Sequence, residues 1–181
     1  MGDDGHTADN HSHGDHGHDH HSHDLRALDA GVLTISSSRS LAEDPAGDAV
    51  TAGFEAAGHT VATRDLVGDD REVVQSTVSR LADETDVVVT TGGTGVTPDD
   101  VTVEAVRPLF DKELPGFGEL FRDLSYEEIG TKVVGTRAAA GIVDVTPVFC
   151  LPGSENAARL GTEEIIIEEA PHLAGLARRD G

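Results

Sequence analysis

The stretch Val87-Val-Val-Thr-Thr-Gly-Gly-Thr-Gly95 decides the fold of this chain. Its first half, from Asp86 to Thr91, is a short apolar run of the kind found in parallel strands that are buried on both faces. The run leads directly into a loop with three glycines and then into a predicted helix. Open α/β sheets bind ligands at the carboxyl ends of such strands, so this junction is the first candidate binding site.

The glycine loop fits a phosphate ligand. Gly92, Gly93 and Gly95 allow backbone torsions and a close approach that side chains would block. The consecutive N–H groups of this loop can then cradle a phosphate. The loop is not a Walker P-loop, because no Gly-Lys-Ser/Thr follows it, and it lacks the GxGxxG dinucleotide pattern. A tight strand-to-helix turn without a ligand is the structural alternative.

The segments on either side of the loop alternate between strand and helix periods. Predicted strands lie at Gly31–Ser36, His59–Val67, Asp86–Thr91 and Thr146–Leu151, with a further apolar segment at Val133–Val145. Predicted helices lie at Pro45–Gly58, after Asp69 or Asp70, at Asp100–Phe110, at Pro115–Glu128 and in a last region that Pro171 breaks. This alternation predicts a doubly wound α/β domain with a mostly parallel sheet over residues 25–181.

Carboxylates flank the glycine loop. Asp99 and Asp100 come just after it, and Asp69 and Asp70 end the second strand, which lies beside the third if the strand order is sequential. Mg²⁺ takes one or two carboxylates together with phosphate oxygens, so these residues predict a magnesium site. In a chain this acidic, helix capping and plain surface exposure are the alternatives for any single Asp.

A third predicted strand also ends in a turn that could bind a ligand. In Cys150-Leu-Pro-Gly-Ser154 a buried strand again enters a turn of small residues before a helix. Ser154 either caps that helix or binds an anion through its hydroxyl group. Together with Asp69 and the glycine loop, this turn could line one edge of the sheet.

The isolated Cys and His residues, which could in principle be catalytic or bind a metal, are predicted to have structural roles. Cys150 lies in an apolar strand, which predicts an inert buried thiol rather than a nucleophile. His59 and His172 have no partners at ligand spacing and are predicted to be surface or capping residues.

Composition excludes several classes of function. Asp and Glu number 34 against 13 Lys and Arg, and the formal net charge of -21 repels nucleic-acid phosphates. A single Cys excludes an internal disulfide and a Cys-rich zinc site. No apolar run approaches the length of a membrane span, and the polar N-terminus lacks a secretory h-region. We therefore expect a cytoplasmic protein without membrane or nucleic-acid partners, with the acidity typical of a salt-adapted, halophilic proteome.

Residues 1–24 form a separate His- and Asp-rich tail. The stretch has almost nothing to bury, so we expect it to be disordered. Closely spaced imidazoles can chelate a transition metal without a preformed site, and a solvated acidic tail is the alternative. The densest candidate ligands are His16, His18, His20, His21 and His23.

Several motifs, taken together with their spacing along the chain, resemble those of the MoaB/MogA family of molybdenum cofactor biosynthesis. The resemblance covers roughly Ala30–Pro171, and the stretch Ser-Tyr-Glu-Glu-Ile-Gly is more similar to the MoaB branch. The joint spacing is specific, although each motif alone is not. The motifs are Thr90-Thr-Gly-Gly-Thr-Gly-Val-Thr-Pro-Asp-Asp-Val-Thr102, Leu114-Pro-Gly-Phe-Gly-Glu-Leu-Phe-Arg122, Leu124-Ser-Tyr-Glu-Glu-Ile-Gly130, Thr136-Arg137 and Leu151-Pro-Gly-Ser154.

The resemblance implies a three-layer α/β/α sandwich that assembles into trimers or hexamers. The implied activity is adenylylation of molybdopterin by MgATP, which gives adenylyl-molybdopterin and pyrophosphate. The implied cofactor is Mg²⁺, with ATP as co-substrate, molybdopterin as substrate and a molybdate-insertion enzyme as a possible contact. A non-catalytic carrier or scaffold that binds molybdopterin is the alternative function.

The family motifs also imply roles for individual residues. Asp100 and Asp69 match two acidic positions of catalysis and magnesium binding, although Gly68 replaces the usual Pro before Asp69. The implied nucleotide and phosphate ligands are Ser36, Thr91, Gly92, Gly93, Thr94 and Gly95. The implied pterin ligands are Glu119, Arg137, Pro152, Gly153 and Ser154.

Overall fold

The computed structural model describes residues 27–179, so the predictions for the His-rich tail lie outside the described residues. The strands of this part are β1 (Asp29–Ile35), β2 (Thr60–Val67), β3 (Val87–Thr91), β4 (Lys112–Glu113), β5 (Ala139–Val143) and β6 (Thr146–Leu151). Its α-helices are α1 (Pro45–Ala56), α2 (Arg71–Glu84), α3 (Thr102–Val106), α4 (Pro115–Ile129), α5 (Glu155–Gly161) and α6 (Ile167–Ala177). None of these helices is both long and apolar enough to cross a membrane.

The strands form one mixed sheet in the order β2-β1-β3-β6-β5-β4. β1 pairs in parallel with β2 and β3, and β3 pairs in parallel with β6. β5 pairs antiparallel with β6 on one side and with the two-residue β4 on the other. The predicted α/β fold with a mostly parallel sheet is confirmed.

Helices cover both faces of the sheet and make three layers. Val87 and Val89 of β3 pack into a core with α1, α4, α5 and α6, whereas Val88 packs on the other face with α2 and α3. All three valines are fully buried. A strand whose successive side chains point to opposite faces must be apolar throughout to serve two cores, which explains the unbroken run.

The sequential strand order, which would make β2 and β3 neighbours, is wrong, because β1 lies between them. In doubly wound sheets the chain reverses its direction of travel after the second strand, and the first strand then becomes central. Asp69, which follows β2, is therefore one strand further from the glycine loop than the sequential order predicts. The reversal places the crevice of the sheet at the carboxyl ends of β1 and β3.

Two predicted segments have different bounds in the structure. The helix expected from Asp100 is confined to α3, because residues 97–100 form a turn closed by a 3.1 Å bond from the Asp100 amide to the Thr97 carbonyl. The apolar segment expected at 133–145 divides into a 3₁₀ turn, Gly130–Gly135, and strand β5.

Pro171 does not break the last helix, which continues through it to Ala177. Ala170 and Ala174 are fully buried on either side of the proline. Their packing on the sheet stabilises the helix despite the backbone hydrogen bond that proline removes. A π-helical turn, Thr162–Ile166, joins α5 to α6.

Candidate functional site

An open pocket of about 480 Å³ lies at the carboxyl ends of β1, β3 and β6. It is the crevice at the switch point of the sheet, where α/β proteins of this topology bind ligands. Two of the three strand ends predicted to line one edge meet in it, the glycine loop after β3 and the turn after β6, but the third place is taken by the turn after β1 instead of Asp69. The lining residues are Ile35, Ser36, Ser38, Arg39, Gly92, Gly93, Thr94, Gly95, Asp100, Gly135, Thr136, Pro152, Gly153 and Ser154.

The glycine loop has a backbone conformation that only glycine tolerates. Gly92 has φ 97°, and a Cβ there would lie 2.3 Å from the carbonyl oxygen of Ile35. Gly93 has φ 64°, and a Cβ there would lie 2.3 Å from the hydroxyl oxygen of Thr102. The same hydroxyl donates to the Gly92 carbonyl at 2.8 Å, which ties the loop to the start of α3. The glycines are thus required by close contacts within the protein.

Two of the backbone amides expected to bind phosphate already donate hydrogen bonds within the protein. The Gly92 amide donates to the Leu151 carbonyl at 3.0 Å, and the Gly95 amide donates to the Asp100 carboxylate. Within residues 27–179 the amides of Gly93 and Thr94 have no protein acceptor. Of the consecutive amides predicted to cradle a phosphate, those of Gly93 and Thr94 are therefore the ones left to donate to a ligand.

Asp100 is a half-exposed carboxylate at the rim of the pocket. Its Oδ2 accepts from the Thr97 amide at 2.8 Å and from the Thr97 hydroxyl at 2.7 Å. Partial burial raises the pKa of Asp100, but these two bonds, the Gly95 amide and the charge of Arg137 outweigh it and hold the pKa below its ordinary value. Asp100 is therefore ionised at neutral pH, as a magnesium ligand must be.

Asp69 lies at the end of β2, next to the turn after β1. Its Oδ2 accepts from the Ser37 amide at 2.9 Å, and its own amide donates to the Ser37 hydroxyl at 3.2 Å. This pair fixes the serine turn whose Ser36 and Ser38 line the pocket, although Asp69 itself does not line it. Asp70 caps α2 through the amides of residues 72 and 73, which is the structural alternative stated for such residues.

The turn after β6 packs against the glycine loop. A Cβ on Gly153 would lie 3.1 Å from the Cα of Gly92, so the two loops touch through their backbones. The hydroxyl of Ser154 accepts from the Ala157 amide at 3.2 Å and caps α5. Of the two interpretations of Ser154, helix capping is the one that the structure shows.

The other predicted ligands lie in different places. The Thr91 hydroxyl is buried and donates to the Thr34 hydroxyl at 3.3 Å, so it faces the core. Glu119 is exposed on α4 and lines a separate pocket of about 120 Å³ with Arg107 and Arg122. The structure does not bring Glu119 to the pocket at the strand ends.

Arg137 acts as a clamp on the loop rather than as a lining residue of that pocket. Its Nε donates to the Gly95 carbonyl at 2.7 Å, and its Nη2 donates to the Asp100 carbonyl at 3.1 Å. Its guanidinium also forms an ion pair with Glu104 of α3, and the hydrogen bond from Arg137 lowers the pKa of Glu104. Arg137 therefore holds both ends of the turn that presents Asp100.

Replacing Arg137 with Gln should loosen this turn. Hydrogen exchange of the amides in residues 95–100 is expected to speed up about tenfold, the equivalent of one charge-assisted hydrogen bond. Arg80→Gln is the matched control, because Arg80 pairs with Asp65 and Glu84 away from the pocket. Unchanged exchange at residues 95–100 in the Arg137 variant would contradict the clamp.

The isolated Cys and His residues have clear outcomes. Burial raises the pKa of Cys150 to about 11, so the inert buried thiol is confirmed. His59 accepts from the Leu28 amide at 3.3 Å through Nδ1, and His172 lies partly exposed on α6. No three His, Cys, Asp or Glu side chains of residues 27–179 gather at one point to hold a metal ion.

Sequence reasoning missed Arg39 and the buried group behind it. Asp44 is fully buried and accepts from the Thr34 hydroxyl at 2.6 Å and from Arg64 at 3.0 Å. Burial raises the pKa of Asp44, but these bonds and one from the Gly47 amide reverse the shift and lower it. Arg39 lies between this carboxylate and the pocket. A cation just after the first strand of so acidic a chain was the available signal.

Known proteins match the chain over nearly all of the described part. The profile of the family described as "Probable molybdopterin binding domain" matches residues 31–172. The molybdenum cofactor biosynthesis protein B of Bacillus subtilis (strain 168) is 42% identical over 152 residues, which cover 82% of this chain and 89% of that protein.

Solved structures agree with the sequence comparisons. A crystal structure of a molybdenum cofactor biosynthesis protein B has a TM-score of 0.81 at 39% identity and covers 85% of this chain and 98% of its own. The tungsten cofactor synthesizing protein MoaB from Pyrococcus furiosus has a TM-score of 0.77 at 41% identity, covering 86% and 99%. The resemblance of the motifs is thereby confirmed: the chain belongs to the MoaB/MogA family of molybdenum cofactor biosynthesis proteins, next to the relatives named protein B.

Proposed function

We propose that this protein is a molybdopterin adenylyltransferase. In the proposed reaction an oxygen of the terminal phosphate of molybdopterin attacks the α-phosphorus of ATP. The bond from that phosphorus to the oxygen bridging to the β-phosphate breaks, and pyrophosphate leaves. The single observation that carries the proposal is the meeting of the Gly92–Gly95 loop, the Pro152-Gly153 turn and ionised Asp100 in one pocket.

The pocket suits a reaction between two phosphate groups. Its volume of about 480 Å³ lies within the range of small-molecule sites, and its openness leaves room for a second ligand to enter. The amides of Gly93 and Thr94 can donate to phosphate oxygens, because the glycine backbone offers no side chain that would keep a ligand away. Phosphoryl-type transfer needs mainly positioning and charge neutralisation, and a rigid loop of this kind supplies the first.

Asp100 fits the requirements of a magnesium ligand. It is ionised, lines the pocket and is half exposed, and Mg²⁺ binds through one or two carboxylates together with substrate phosphates. When bound, the ion would neutralise phosphate charge during the transfer. Asp69 is the second candidate ligand, although one of its oxygens is already held by the Ser37 amide.

Adenylyl transfer can be measured directly on the purified full chain. With molybdopterin, MgATP labelled at the α-phosphate and excess pyrophosphatase, we expect labelled adenylyl-molybdopterin together with two orthophosphates, from hydrolysis of the released pyrophosphate, for each adenylyl group transferred. Omitting molybdopterin is the control for simple ATP hydrolysis.

A carrier or scaffold of the same fold makes a different prediction. Such a protein would bind molybdopterin tightly without binding ATP and would release no pyrophosphate. Pterin binding by the full chain in the absence of any transfer would therefore refute the proposed activity.

A further inference from the structure

Arg39 is the cation of the pocket at the strand ends. Among the described residues that line this pocket, the others are neutral apart from Asp100. A Cβ on Gly153 would lie 3.8 Å from Nη1 of Arg39, so the guanidinium lies against the turn after β6. The side chain is 32% exposed, which leaves part of it accessible to a ligand.

The buried carboxylate behind Arg39 does not depend on it. Asp44 is neutralised by Arg64 at 3.0 Å and also receives the Thr34 hydroxyl and the Gly47 amide. Nη1 of Arg39 lies 3.8 Å from Oδ1 of Asp44, which is too long for a hydrogen bond. Arg39 can therefore give its N–H groups to a ligand without leaving a buried charge unpaired.

The paired arginines of the described part of the chain differ from Arg39 in this respect. Each makes an ion pair with a carboxylate at 3.0 Å or less, and most of these carboxylates are exposed at the surface. These arginines are Arg64, Arg80, Arg107, Arg137 and Arg178. Arg39 has its one ionic contact at 3.8 Å and, within residues 27–179, no hydrogen bond.

The charge of the pocket lining favours a role for this cation in binding phosphate. Without Arg39 the lining residues would carry only the negative charge of Asp100, and a phosphate ligand would be repelled. A guanidinium presents N–H groups in a fork that matches two phosphate oxygens. We propose that Arg39 binds a phosphate group of the ligand in this pocket, opposite the amides of Gly93 and Thr94.

The proposal deepens the proposed function and rests on it for the identity of the ligand. Inorganic pyrophosphate, the expected product, is the probe, and calorimetry on the full chain measures its binding in EDTA so that no metal ion contributes. Arg39→Gln should weaken binding about 10- to 100-fold, and Arg39→Lys should weaken it less, because a single charge remains. Arg80→Gln is the matched control and should bind pyrophosphate as the unchanged protein does.

The outcomes separate the two proposals. Pyrophosphate binding that is lost in Arg39→Gln supports Arg39 even if the unchanged protein transfers no adenylyl group. Equal affinities in the unchanged protein and Arg39→Gln, or no binding by the unchanged protein, overturn the role of Arg39. Where transfer is measurable, the variant should raise the KM for ATP or molybdopterin more than it lowers kcat. Unaltered thermal unfolding of Arg39→Gln shows that the effect is not a loss of fold.

Discussion

Asp100→Asn is expected to lower kcat for adenylyl transfer about 100- to 1000-fold, the scale of losing one electrostatic group aimed at developing charge. The amide oxygen of Asn can still accept from the Thr97 amide and hydroxyl, which bind Oδ2 of Asp100. The loop should therefore keep its shape while it loses the negative charge that would bind Mg²⁺. Molybdopterin affinity is expected to change little.

The control for this variant is the neighbouring exposed carboxylate. Asp99→Asn removes the same charge one residue away from the pocket and should leave kcat near its original value. Steady-state kinetics with Mg²⁺ varied, together with fluorescence titration of molybdopterin, measures both effects. An equal loss of kcat and pterin affinity in Asp100→Asn would argue against a charge or metal role.

Gly92→Ala should destabilise the protein by about 3 kcal/mol or more, because it combines backbone strain with overpacking. The residue has φ 97°, and its new Cβ would lie 2.3 Å from a carbonyl oxygen of β1 that belongs to the sheet. For a domain of this size the melting temperature should fall by roughly 6–12 °C. Calorimetric or circular-dichroism melting measures the change.

A substitution at Gly58 separates the backbone strain from the steric overlap that together destabilise Gly92→Ala. Gly58 also has a positive φ, 83°, but a Cβ there would meet nothing within 4 Å. Gly58→Ala should therefore cost only the strain of the left-handed conformation, about 1 kcal/mol. If both variants lose the same stability, the contact with Ile35 contributes nothing and the account of the glycine loop is wrong.

The sequence predicts the strand and the glycine loop well because both depend on local properties. An unbroken apolar run has to be buried on two faces, as Val87 and Val88 are, and a chain of glycines after it has few alternatives to a tight turn. Asp100 is predictable for the same reason, since it lies within a few residues of that turn. Ser154 and Asp70 were recognised only as candidates, because capping and ligand binding use the same short polar side chains.

Contacts between distant segments are the part that sequence reasoning could not supply. The partners of Arg137 lie 33 to 42 residues away in the chain, and only the folded arrangement shows that they occupy its guanidinium. The hydrogen bond from the Gly92 amide to the Leu151 carbonyl likewise depends on how β3 and β6 pair. The sequence analysis did not single out Arg39, because its place at the pocket depends on contacts with the distant turn after β6.

The strand order has a consequence for how the protein folds. The three strands whose ends form the pocket pair with one another only across long separations, Ala30 with Val87 and Val88 with Val148. Closing such long loops is costly in entropy before the parallel pairing stabilises them, so these pairings are expected to form slowly. The pocket then has no local precursor on the folding pathway. Its ability to hold a ligand appears only when the centre of the sheet is complete, which makes ligand binding a late and sensitive reporter of correct folding.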